Sequence, residues 1–194
     1  MKKQTGLILG IVIFVFVMVL AVWGYNKLSD SFAPPEITET TQTAEETKQP
    51  ETPKVIPATD FTVEDRNTNN VSLSSFKGKP VVANFWATWC GPCKSELPAF
   101  EKAYKTYGDK VEFMMVNLTD GQRETVPKVN EFISENGYTF PVYYDTKYSA
   151  SAAYGISSIP ATLFVDADGN VFDGRLGAMS EDTLFKLIDR LIGG

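Results

Sequence analysis

Residues 80–93 read PVVANFWATWCGPC, and this junction constrains the fold more than any other stretch of the chain. Pro80 to Thr88 is a nearly continuous apolar run, without the alternation of a half-exposed strand. Such a strand is buried on both faces and needs a covering layer on each side. It runs straight into Cys90-Gly91-Pro92-Cys93, which opens a helix predicted over 91–107. Pro92 falls in the first helical turn, where a missing N–H costs nothing. Cys90 then sits at a helix N-terminus, where unpaired N–H groups and the macrodipole favour a thiolate. Cys93, one turn on, faces inward and is placed to attack a mixed disulfide formed by Cys90.

These are the only two cysteines in 194 residues, and there is no histidine. A disulfide-stapled fold would spread its cysteines to cross-link distant segments, whereas these lie three apart. Half a zinc ribbon is the rival reading of Cys-x-x-Cys, but no second pair or histidine exists to complete four ligands. The absent histidine also excludes His-dependent triads. A net charge of −6 with no basic stripe argues against nucleic acid as a partner.

The chain before the folded part divides into three pieces. Residues 1–5 carry Lys2 and Lys3, and residues 6–25 contain GLILGIVIFVFVMVLAVWG without a charge. About 20 such residues span a hydrocarbon core of about 30 Å. The two lysines predict a cytoplasmic N-terminus, and Trp23 and Tyr25 suit the far headgroup level. A cleaved signal peptide is the alternative, but no Ala-x-Ala follows the run, and Pro34 follows Ser31-Phe32-Ala33. An uncleaved single-pass anchor in the cell membrane, with the remaining chain outside, is the expectation. Residues 26–58, rich in Pro, Glu and Thr, predict a disordered tether reaching on the order of 30 Å.

Residues 59–194 alternate strand-like and helix-like segments. FTVED and NVSL read as a hairpin, Pro80–Thr88 and 111–118 as buried strands, and 126–137 as an amphipathic helix closed by Gly137. A strand FPVYYD and a short helix over 148–155 follow. Residues 161–177 read as two strands turning at Asp168-Gly169, and Ser180 caps a last helix with apolar residues at 184, 187, 188, 191 and 192. The pattern predicts an α/β domain with a mixed sheet. Asp166-Ala167-Asp168-Gly169-Asn170 resembles a calcium loop, but its Gly is misplaced and no Glu stands at the twelfth position; a hairpin turn is the expectation. The other Asp and Glu residues are scattered singly and read as solvated surface.

Taken together, "FKGKPVVANFWATWCGPC", Pro98 five residues after Cys93, and "GISSIPATLFVDADG" resemble the thioredoxin superfamily. Within it, the chain resembles the membrane-anchored TlpA/ResA-like thioredoxins from about Phe61 to Gly194. The resemblance implies a thioredoxin fold, a central mixed sheet flanked by helices, with an N-terminal β-hairpin and a helix–strand insert over about 121–145. It implies a cis-proline at Ile159-Pro160, where the Ile159 backbone would pair with an extended stretch of substrate. It implies thiol-disulfide exchange through Cys90 and Cys93, with Trp89, Gly91 and Pro92 as support and no cofactor beyond that disulfide. Trp86 would be packing.

The departures are specific. Where thioredoxins place a buried Asp that takes the second thiol's proton, this chain has Asn84, and Met115 matches the lysine that usually pairs with it. If a carboxylate is still needed, Asp120 and Glu96 are the candidates, and the resemblance favours Asp120. A copper chaperone would need wider cysteine spacing and a histidine. A thiol peroxidase would carry a lone Cys in a Pro-x-x-x-Thr-x-x-Cys setting. Neither pattern is present, and a non-catalytic binding module remains as the alternative from another class.

The direction of electron flow follows from the dipeptide between the cysteines. Strong oxidants of the superfamily tend to place a histidine there, and Gly91-Pro92 carries no charge, so a reductant is expected, with a disulfide-forming oxidant as alternative. The resemblance implies recharging by an integral-membrane thiol transporter of the CcdA/DsbD type. The expected clients are exported disulfides, of the apocytochrome c or methionine sulfoxide reductase type, and the protein is expected to be a monomer.

Overall fold

The computed structural model describes residues 16–23, 25 and 55–193. The chain divides into two units, Met1–Pro50 and Glu51–Gly194. In the first, residues 16–23 and 25 are helical. Among the described residues no helix is long and apolar enough to cross a membrane. The span expected over 6–25 lies largely outside them, as do the cytoplasmic end expected over 1–5 and the tether over 26–54.

The tether differs from expectation at its far end. Residues 55–58 are laid against the last hairpin: Ile56 O accepts from Val171 N at 2.8 Å, and Ala58 N donates to Gly169 O at 2.9 Å. The outer side of that hairpin offers unpaired main-chain groups, and an extended Val-Ile-Pro-Ala segment satisfies them.

In the second unit the strands are β1 (Thr62–Glu64), β2 (Asn70–Ser72), β3 (Val81–Trp86), β4 (Glu112–Asn117), β5 (Val142–Tyr144), β6 (Ala161–Val165) and β7 (Val171–Leu176). The helices are α1 (Gly91–Tyr107), α2 (Val126–Asn136), α3 (Ser149–Ala153) and α4 (Glu181–Gly193), with a 3₁₀ turn at Leu73–Phe76. One seven-stranded sheet has the order β2-β1-β5-β4-β3-β6-β7. β3, β4 and β5 run parallel, and the remaining neighbours are antiparallel. The expected insert supplies α2 and β5, and β5 bridges the N-terminal hairpin to the central sheet.

All six residues of β3 are buried, and their period of two divides the core. Val82 and Trp86 pack with Leu97 and Phe100 of α1, Val129 of α2 and Leu184 of α4. Val81, Ala83 and Phe85 face the other way, with Phe61, Leu73 and Ala150. Asn84 lies on the α1 side by the same alternation. Burying a side chain such as Leu97 or Phe100 is worth about 2–3 kcal/mol. The ends of the helices follow their residues: Ser180 Oγ accepts from Thr183 N at 3.2 Å, and Gly137 closes α2 at φ 67°, a left-handed conformation that glycine adopts without strain. The Asp166–Asn170 loop is a hairpin turn, with Asp166 Oδ1 accepting from Asn170 N at 2.7 Å.

Candidate active site

β3 ends at Trp86, and the chain turns through Ala87, Thr88 and Trp89 into α1. Cys90 N donates to Ala87 O at 3.1 Å, which tightens this turn. Cys90 is the N-cap of α1, and its Sγ accepts from Cys93 N at 3.1 Å. The sulfur thus occupies the place of a capping oxygen, where the helix directs its N–H groups. Cys90 and Cys93 form a disulfide with Cα atoms 5.2 Å apart. Cys93 is fully buried and Cys90 5% exposed, so attack from outside is directed to Cys90. Gly91 and Pro92 are exposed above them.

Opposite the pair, the Ile159-Pro160 bond is cis. The Ile159 carbonyl oxygen lies 3.7 Å from Cys90 Sγ. Pro160 O accepts from Gly177 N at 2.8 Å, tying this segment to the end of β7. The two tryptophans divide as expected: Trp86 is fully buried, and Trp89 is 41% exposed beside Cys90.

Behind the cysteines, Asn84 is in register with Met115 on β4 and Thr162 on β6. Its Nδ2 donates to Thr162 Oγ1 at 3.0 Å and to Glu96 Oε1 at 2.9 Å. Glu96 Oε2 accepts from Met179 N at 2.9 Å, which joins α1 to the segment before α4. Glu96 is 2% exposed, and burial pushes its carboxyl above the usual range despite those two donors.

Asp120 is exposed, and its carboxylate turns to its own loop. Its Oδ1 accepts from Gln122 N at 2.8 Å and Glu124 N at 2.9 Å, bonds that hold its carboxyl below the usual range. Of the two acids singled out from the sequence, Glu96 is therefore the buried one, one helical turn beyond Cys93.

The acids read as solvated surface include three that are buried: Glu101, Glu124 and Asp145. The donors of Glu101 and Glu124 come from as far as 39 and 36 positions away, while those of Asp145 are local, Ala150 N and Ser151 N. Glu124 reaches under the active-site turn, accepting from Thr88 N at 2.6 Å, Thr88 Oγ1 at 2.7 Å and Asn117 Nδ2 at 2.8 Å. Its neighbour Arg123 stacks its guanidinium over the Trp89 ring, 4.0 Å from the centroid. Sequence reasoning missed Thr88, Arg123 and Glu124, because Glu124 lies 36 positions from Thr88. The signal was an Arg-Glu-Thr ahead of a helix, which reads equally well as ordinary helix-start charge.

A cysteine pair capping the first helix after a central strand, with a cis-proline against it, defines a thioredoxin-like thiol-disulfide oxidoreductase. Residues 56–173 match the AhpC/TSA family. The thiol-disulfide oxidoreductase ResA of Bacillus subtilis is 37% identical over 128 residues, 66% of this chain and 69% of that protein. ResA of Geobacillus thermodenitrificans is 32% identical over 187 residues, 95% of each chain. The crystal structure of StoA from Bacillus subtilis superposes with a TM-score of 0.59 at 29% identity, covering 68% of this chain and 97% of that one. The chain belongs to the AhpC/TSA family and, within the thioredoxin superfamily, to the TlpA/ResA-like thiol-disulfide oxidoreductases.

Proposed function

We propose that this oxidoreductase is an extracytoplasmic reductant, held at the membrane by residues 6–25 and acting on disulfides of exported proteins. The reduced Cys90 thiolate attacks a client disulfide, forming a Cys90–client bond and releasing one client thiolate. The Cys93 thiolate then attacks Cys90 Sγ, closing the Cys90–Cys93 disulfide and releasing the second client thiol. Two electrons pass to the client, and two protons follow them. Glu96 is the group assigned to take the proton of Cys93, since it is buried one turn beyond that residue while Asp120 is exposed and occupied by its own loop. Asn84 holds Glu96 in place, and the Ile159 backbone pairs with the client strand.

The direction rests on one observation: the residues between the cysteines, Gly91 and Pro92, are uncharged. The Cys90 thiolate has the Cys93 N–H and the helix N-terminus to stabilise it, without an adjacent imidazolium to favour the reduced form further. Recharging by a membrane thiol transporter of the CcdA/DsbD type, and clients of the apocytochrome c or methionine sulfoxide reductase type, belong to the same reading. The test is the reduction potential of the full chain in detergent, equilibrated against glutathione or dithiothreitol buffers. A value near or below about −270 mV supports the reductant, and one near −120 mV makes the protein a maker of disulfides instead.

A further inference from the structure

We propose that Arg123 is a specificity-determining residue, drawing clients that carry a carboxylate side chain beside the reacting cysteine. The inference rests on the thiol-disulfide exchange above and holds in either direction of electron flow. Trp89 directly precedes Cys90 and stands 41% exposed, so a client reaching Cys90 meets this ring. The Arg123 guanidinium lies over that ring, 4.0 Å from its centroid.

The loop that presents Arg123 is tied down from several sides. Glu124 is anchored beneath it on Thr88 and Asn117. Asp120 Oδ1 accepts from two loop amides, Gly121 N donates to Glu124 O at 3.0 Å, and Lys128 Nζ donates to Arg123 O at 2.9 Å. The guanidinium itself makes no hydrogen bond and no ion pair among the described residues; Asp120 feels its charge without pairing. Stacking keeps the N–H edge of a guanidinium available, and that fork matches a carboxylate in bidentate geometry. Because the group is already ordered, less rotamer freedom is lost when a client binds. Lys94, exposed in the first turn of α1, adds a second cation just after Cys93. The whole chain carries −6, so attraction for an acidic client must come from this local rim rather than from the net charge.

Arg123 acts on the encounter that leads to the Cys90–client disulfide. The experiment uses the reduced full chain in detergent and three peptide disulfides, identical except for Glu, Gln or Lys beside the reacting cysteine. Each second-order rate is divided by the same peptide's rate with dithiothreitol, which removes the intrinsic effect of the flanking charge. The expected Glu-to-Lys ratio is about fivefold, the size of an exposed ion pair, and it shrinks in about 0.5 M salt. Arg123→Gln brings the ratio below about twofold, the remainder being the share of Lys94, and Arg123→Glu lowers it further. A wild-type ratio below about twofold, or one that survives Arg123→Gln, overturns the proposal. The Gln peptide reports the exchange chemistry and the reduction potential reports its direction, so failure of the ratio is distinguishable from failure of either.

Discussion

Asn84 on β3 and Glu96 on α1 meet behind the cysteines, with Asn84 Nδ2 donating to Glu96 Oε1 at 2.9 Å and both side chains buried. The strand supplies an amide where the superfamily resemblance implies an acid, and the helix supplies the carboxylate instead. Met179 N completes the arrangement from the segment before α4.

This relationship sets a pH dependence. Burial holds the Glu96 pKa above its ordinary value, so the folded protein keeps a proton that the unfolded chain has released. Its contribution to stability is full below the ordinary carboxylate pKa and is lost as pH rises through the raised one. Urea midpoints of the oxidised protein between pH 4 and 8 should fall with rising pH in that window. Glu96→Gln should flatten this component, and an unchanged slope in the variant would assign it to another group.

Glu124→Ala leaves Thr88 N, Thr88 Oγ1 and Asn117 Nδ2 buried without their acceptor. At 1 kcal/mol or more for each orphaned donor, the cost is about 3 kcal/mol. Thr88→Val removes one of the three bonds and costs about 1 kcal/mol. Chemical denaturation checks both, and equal losses from the two variants would count against the arrangement.

The two cysteines should fail differently. Cys90→Ser abolishes exchange, because Cys93 is fully buried and cannot receive a client. Cys93→Ser lets Cys90 attack but removes the group that resolves the intermediate. Intact-mass spectrometry should therefore show a stable protein–peptide disulfide in Cys93→Ser and none in Cys90→Ser.

Away from the site, Asp145 Oδ1 and Oδ2 accept from Ala150 N at 3.0 Å and Ser151 N at 2.8 Å, supporting the start of α3. Asp145→Ala should cost about 1–2 kcal/mol in denaturant unfolding. The reduction potential should be unmoved, and a shifted potential would tie α3 to the active site.

The residues around Cys90 and Cys93 were legible because their information is local. An unbroken apolar run announces a strand buried on both faces, and a proline in the first turn announces the helix. Gly137 and Ser180 mark helix ends by the same short-range chemistry. The 55–58 segment was misread as tether because its place depends on main-chain pairing with a hairpin more than a hundred residues away, which composition does not record.

The α/β pattern, the pairing of Cys90 with Cys93 at a helix start and the exclusion of histidine-dependent chemistry are all readable from the chain. These follow from residue type, period and short spacing. Which acids end up buried is set by the packing of the folded chain. Glu96, Glu101 and Glu124 look like Asp120 in the sequence, yet folding brings donors around their carboxylates from segments as distant as 83 positions, as between Glu96 and Met179. A carboxylate is tolerated inside only where such donors converge, and that convergence belongs to the packed chain.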